Sequence, residues 1–179
     1  MSTDSPVERI PMWLAVALTV VASMPFGLWL GKYNFALWCC FIVWAEYFAL
    51  GASPAALRLI VPSFSYSVVL TAVTLWAVQL FDFLPSLRTE GDLAVTVALF
   101  AGIALTVYTM RYSRIFQDGS LPFFNGISMG LAIYFTGSFP DFGGILPAAL
   151  AAGAWTVLMG LFGCALGVFN VWITFPRHR

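Results

Sequence analysis

The sequence predicts an all-α integral membrane protein with six transmembrane helices, arranged as two inverted three-helix repeats. Three observations carry that prediction. Hydrophobic residues make up 61% of the chain and charged residues 9%, against about 45–50% and roughly 25% in an average soluble domain. The few charges punctuate apolar runs of roughly 20 residues, the length that crosses a bilayer. A pattern near the end of the second run recurs near the end of the fifth.

The spans follow in order from their flanking charges and turn residues. Span 1 covers 12–31 and closes at Lys32, Tyr33 and Asn34; no small-x-small cleavage site follows its apolar run, so it reads as a retained helix rather than a removable signal. Span 2 is 35–51, ended by the turn-forming Ala52, Ser53 and Pro54, and span 3 is 59–81. The longest polar connection, 82–92, carries Pro85, Gly91 and the charges Asp82, Arg88, Glu90 and Asp92. Span 4 is 93–110, a short charged loop occupies 111–119, span 5 is 121–137, and a Gly/Pro turn with Asp141 leads into span 6 at 145–175. The resulting organisation is a cytoplasmic tail at 1–11, a first three-helix unit at 12–81, an extracytoplasmic loop at 82–92, a second unit at 93–175 and a cytoplasmic tail at 176–179.

Six spans put both termini on one side with the loops after spans 2 and 4. That side collects Arg9, Arg58, Arg111, Arg114, Arg177 and Arg179, while the other holds Lys32 and Arg88. Basic residues accumulate on the cytoplasmic side, so both termini are expected there. Trp13, Trp29, Trp76 and Trp172 fall near span ends, where an amphipathic ring sits at headgroup level.

The recurring pattern is Ala45-x-Tyr47-Phe48, Gly51, Pro54 and Pro62 against Ala132-x-Tyr134-Phe135, Gly137, Pro140 and Pro147. It closes the second helix of each unit. Units with an odd number of spans have opposite orientations, which is the inverted repeat of many secondary transporters. Aromatic residues, Gly and Pro also recur at helix ends in any aromatic-rich membrane protein, and that is the plainer source of the same pattern. Pro62 and Pro147, in matching places, are expected to break their helices and open the backbone toward a midplane site.

Charge balance and residue types exclude several functions. Eight Lys+Arg against eight Asp+Glu leave no basic surplus for nucleic acid. The single histidine, His178, rules out a Ser-His-Asp set, no Gly-rich phosphate loop precedes a lysine, and no paired intramembrane carboxylates occur, so the chain is not expected to be an enzyme. Cys39, Cys40 and Cys164 lie in apolar runs and read as small buried hydrophobes; neither a metal nor a cofactor is implied.

Glu46 is the one charge well inside an apolar run. A carboxylate in hydrocarbon costs about 2.5–3.5 kcal/mol on insertion scales, so such a residue faces the bundle interior and marks a proton, ion or solute path. Two plainer roles stand beside that one: Glu46 snorkels from near its helix end to the interface, or pairs with Arg58. Tyr47, Ser63, Ser65, Tyr66, Asn125, Ser128 and Tyr134 are the polar groups expected to join it in lining the path, or else to hydrogen-bond neighbouring helices. Gly27/Gly31, Gly126/Gly130 and Gly163/Gly167, at four-residue spacing, with the small residues from Ala148 to Gly153, read as helix-packing faces.

Tyr47-Phe48, Tyr134-Phe135 and the glycines around them carry a resemblance. The stretches 38–76 and 125–167 resemble the small bacterial inner-membrane proteins of domain-of-unknown-function family 1097. The resemblance implies a compact multi-span protein of the bacterial cytoplasmic membrane and transfers no activity and no functional residue. The expected function is a small transporter or channel for a small solute or ion, homo-oligomeric or partnered with another membrane protein; the alternative is an accessory subunit that packs beside a partner complex.

Overall fold

The computed structural model describes residues 8–175 of the chain. The tail residues 1–7 and 176–179, with Arg177, His178 and Arg179, lie outside the described residues. Seven α-helices occur among the described residues, and no strand does. They are α1 (Met12–Leu30), α2 (Leu37–Ala49), α3 (Pro54–Trp76), α4 (Asp92–Thr109), α5 (Arg114–Asp118), α6 (Ser120–Phe135) and α7 (Ala148–Thr174). Short 3-10 turns extend α1, α3 and α4 at their C-terminal ends.

Four helices with their 3-10 extensions, Met12–Tyr33, Pro54–Phe81, Asp92–Tyr112 and Ala148–Thr174, are long and apolar enough to cross a membrane. The second and fifth expected spans are shorter. With 13 and 16 residues, α2 and α6 rise only about 20 and 24 Å, less than the roughly 30 Å hydrocarbon core. Their apolar runs are cut at the same point by the same backbone device. Gly51 and Gly137 have φ of +91° and +64°, a left-handed conformation in which a side chain is strained. Around each, three amides turn back onto the helix: Leu50, Gly51 and Ala52 bond the carbonyls of Glu46, Phe48 and Tyr47, while Thr136, Gly137 and Ser138 bond those of Ala132, Tyr134 and Ile133. This glycine cap satisfies carbonyls that would otherwise be orphaned in an apolar setting.

Two other boundaries differ from expectation. The third helix begins at Pro54, where a missing N–H is harmless in the first turn, so Arg58 lies on the helix rather than in a loop. The charged segment 111–119 is mostly helical, as a 3-10 turn followed by α5.

At the centre α3 packs on α7; α6 packs on α3, and α2 on α7. The outer helices are α1, against α7, and α4, against α3. Their outer faces are bare, with Leu28 78% and Phe100 79% exposed, as lipid-facing residues are. Trp13, Trp29, Trp76 and Trp172 are exposed as well.

Small residues set the central contacts. A Cβ at Gly163 would collide with the Cys40 carbonyl and Val43 of α2, and one at Gly167 would strike the Tyr47 ring. Toward α3, Gly126 meets Ser67 and Phe64, Gly153 meets Ala72, and Gly160 meets the Phe64 ring. Such approaches allow dispersion contacts where no hydrophobic drive acts between helices in lipid. The Gly27/Gly31 pair is only half such a face: Gly27 abuts Leu37, whereas Gly31 has open space around it. The buried hydroxyls of Thr19, Thr71, Thr74, Thr106, Thr156 and Thr174 all donate to the carbonyl one turn back, so they enter the apolar core without needing a partner helix.

Polar contacts sort the helix ends onto two faces. The Arg9 amide donates to the Thr174 carbonyl at 2.8 Å, and Ser63 Oγ to the Ile115 carbonyl at 3.2 Å. On the opposite face Asn34 Nδ2 donates to the carbonyls of Gly137 and Phe139 at 3.3 and 3.1 Å.

Candidate functional site

The candidate site is the seam between the two short helices. On α2, Cys39, Val43 and Glu46 recur at four- and three-residue spacing and therefore share a face. On α6, Asn125 and Met129 do the same. The helices run antiparallel, so that Glu46 meets Asn125 and Cys39 meets Met129, Sγ to Sδ at 3.3 Å. All three cysteines are free and buried.

Glu46 is 2% exposed. Its Oε1 accepts a hydrogen bond from Asn125 Nδ2, and its Oε2 is buried without a partner among the described residues. Neither plainer role describes this arrangement: Arg58 is exposed on α3, and the Glu46 carboxyl turns inward to α6 instead of outward to the interface. An unpartnered acceptor in such a place is costly, on the order of 1–3 kcal/mol. A proton, a cation or the donor of a small solute would satisfy it.

The other expected path residues disperse. Tyr47 is buried, its ring laid on Gly167 of α7. Ser63 is buried against α5 through its bond to Ile115. Ser65 and Tyr66 are half-buried, and the Tyr66 ring stacks on Phe116 with centroids 4.5 Å apart. Ser128 is exposed and donates to the Phe124 carbonyl of its own helix. Tyr134 lies toward the Asn34 face, its ring parallel to that of Phe139.

The expected helix break at Pro62 does not occur. Pro62 sits in the third turn of an α3 that continues unbroken, because packing against α6 and α7 holds the helix on both sides of the one missing donor. Pro147 stands immediately before α7 and starts it. Neither proline opens the backbone at mid-helix.

Two polar contacts lie outside the residues singled out by sequence. Asn170 of α7 is fully buried and donates to Thr19 Oγ1 of α1 at 3.0 Å, while its own Oδ1 has no partner among the described residues. Its signal was available: Asn170 lies three residues beyond Gly167 and seven beyond Gly163, on their face of the helix. Asn34 is the other, and no local pattern marks it. Comparison of the chain with protein-family models, curated proteins and solved structures finds no match.

Proposed function

We propose that the protein is a small transporter or channel subunit for a small solute or ion, built from two inverted three-helix units, with Glu46 and Asn125 as its intramembrane site. One observation carries the proposal: a buried carboxyl with an unsatisfied oxygen lies where a short helix from each half meets the other. Ionisable groups at such depth mark proton and ion pathways because their burial is otherwise costly.

The repeat is supported by the pattern of packing. Exchanging α1, α2 and α3 with α4, α6 and α7 turns the α2–α7 contact into α6–α3 and the α1–α7 contact into α4–α3, and returns α3–α7 and α2–α6 to themselves. The matching glycine caps of α2 and α6 agree with it. We place the chain in a bacterial cytoplasmic membrane, with the face of Arg9, Arg58, Arg111 and Arg114 inside, because basic residues collect there. A family 1097 relationship accords with that placement. Six helices make a thin wall around a site, so the working form is a homo-oligomer; crosslinking in membranes that yields monomer alone would overturn that part.

A second reading is favoured by a different observation: the hydroxyls of Ser63, Ser67 and Thr71 all bond backbone carbonyls rather than lining an open path. On that reading the bundle is an accessory subunit packed beside a partner complex. Liposomes carrying the purified protein under an imposed proton or sodium gradient, with an internal pH- or sodium-sensitive dye, decide between the two. Transport predicts flux that Glu46→Gln abolishes. Flux unchanged by that substitution removes Glu46 from the mechanism, and no flux with either ion, together with co-purification of one defined membrane partner, selects the accessory reading.

A further inference from the structure

The face that carries Asn34 holds two cavities that share a wall. One, of about 570 Å³, is lined by Phe139, Pro140, Asp141, Phe142, Leu146 and Pro147. The other, of about 310 Å³, is lined by residues that include Trp76, Gln79, Asp82, Tyr134 and Pro147. Between them stand the parallel rings of Tyr134 and Phe139, interplanar angle 2°. What holds Phe139 in place comes from the other half of the chain. Asn34, at φ +58°, donates from Nδ2 to the Gly137 and Phe139 carbonyls, and its own carbonyl accepts from Trp155 Nε1 at 3.3 Å.

One residue thus joins the end of α1 to the α6–α7 loop and to α7. Its neighbours extend the joint inward. Phe35 is buried edge-on against the rings of Trp155 and Phe162, and the Ala36 amide donates to Met159 Sδ. Directly below begins α2, with Cys39 and Cys40 in its first turn and Glu46 farther down the same helix. Asn34, Phe35 and Ala36 thus tie the chain entering α2 to the α6–α7 loop and to α7 on this face.

We propose that Asn34, with the Tyr134–Phe139 stack it holds, is the latch of a gate that closes the path to Glu46 on this face; the proposal rests on the transport reading above. Asn34 is exposed, so water competes for its bonds and the latch is weak enough to open reversibly. The left-handed backbone at Asn34 presents the side-chain amide and the carbonyl to separate partners, as one αL residue at a helix end does. Opening it frees the α6–α7 loop and the connection that leads into the first turn of α2, where Cys39 and Cys40 lie.

Native cysteines report the gate. Cys39 and Cys40 lie below the latch, whereas Cys164 lies in the opposite half of α7. Full-length protein in sealed vesicles is treated from the Asn34 face with a membrane-impermeant maleimide, comparing wild type with Asn34→Gly, which keeps the positive φ but loses both side-chain bonds, and with Trp155→Phe, which loses only the indole donor. Losing two exposed amide hydrogen bonds should raise the labelling rate of Cys39 and Cys40 about 5- to 150-fold in Asn34→Gly, and losing one should raise it less in Trp155→Phe. Cys164 should keep its wild-type rate. No rise at Cys39 or Cys40, or an equal rise at all three cysteines, overturns the latch. Ion flux is measured on the same vesicles, so a failed latch is read from labelling and a failed transport reading from flux.

Discussion

Replacing Asn125 by Leu should expose how much the protein depends on the single partner of Glu46. In the native protein Asn125 satisfies one carboxyl oxygen and nothing among the described residues satisfies the other. Asn125→Leu therefore leaves both oxygens of a 2% exposed carboxyl without a donor, at a cost of about 1–3 kcal/mol. Glu46→Leu should cost less, about 1 kcal/mol, because Asn125 is half-buried and its freed amide can turn toward other acceptors. The double variant replaces both partners by apolar groups of similar shape, a change close to neutral. The expected coupling, the two single-variant costs less that of the double, is about 2–4 kcal/mol, above the ~0.6 kcal/mol average for hydrogen-bonded pairs between membrane helices. Reversible unfolding in mixed micelles with increasing SDS, run on wild type, both single variants and the double, measures it. Single-variant effects that add to within about 0.3–0.5 kcal/mol would refute the reasoning, since additivity means the two side chains do not interact.

Two further outcomes follow from the packing. Gly163→Val should push α7 away from the Cys40 carbonyl and Val43 and destabilise by about 1–3 kcal/mol, whereas Gly31→Ala, with nothing within 4 Å of its new methyl, should stay within about 0.5 kcal/mol; thermal unfolding in detergent compares them. Thr19→Val keeps the shape but removes the acceptor of Asn170, so it should cost about 1–2 kcal/mol and loosen α1, seen as faster proteolysis at the loop between α1 and α2.

The parts of this fold that were legible in the sequence are those set by neighbours along the chain. Hydropathy placed the apolar runs, and Lys32, Asp82 and Arg111 marked where three of them end, because a charge is excluded from hydrocarbon whatever the tertiary fold. Gly51 and Gly137 as helix ends follow from backbone geometry alone, whereas Pro54 read as part of a turn and instead starts α3. Glu46 was legible as an outlier for the same reason. The break expected at Pro62 misled because a proline removes only one backbone bond, and the neighbouring helices that keep α3 continuous are invisible locally.

Which apolar face meets which is settled by packing between helices that are distant in the chain. A span surrounded by lipid is hydrophobic all round, so its sequence carries little amphipathic signal to say which side turns inward. The choice is made by close backbone approach and by individual hydrogen bonds, which are pairwise properties of distant residues. That is why α2 and α6 came out as short inner helices, why Asn125, 79 residues away, is the partner of Glu46 in place of nearby Arg58, and why Asn170 and Asn34 acquire their roles. Hydropathy alone is enough to place a costly carboxyl within the apolar region; the packing of α2 against α6 sets what answers it and what is left unanswered, among the described residues, at its second oxygen.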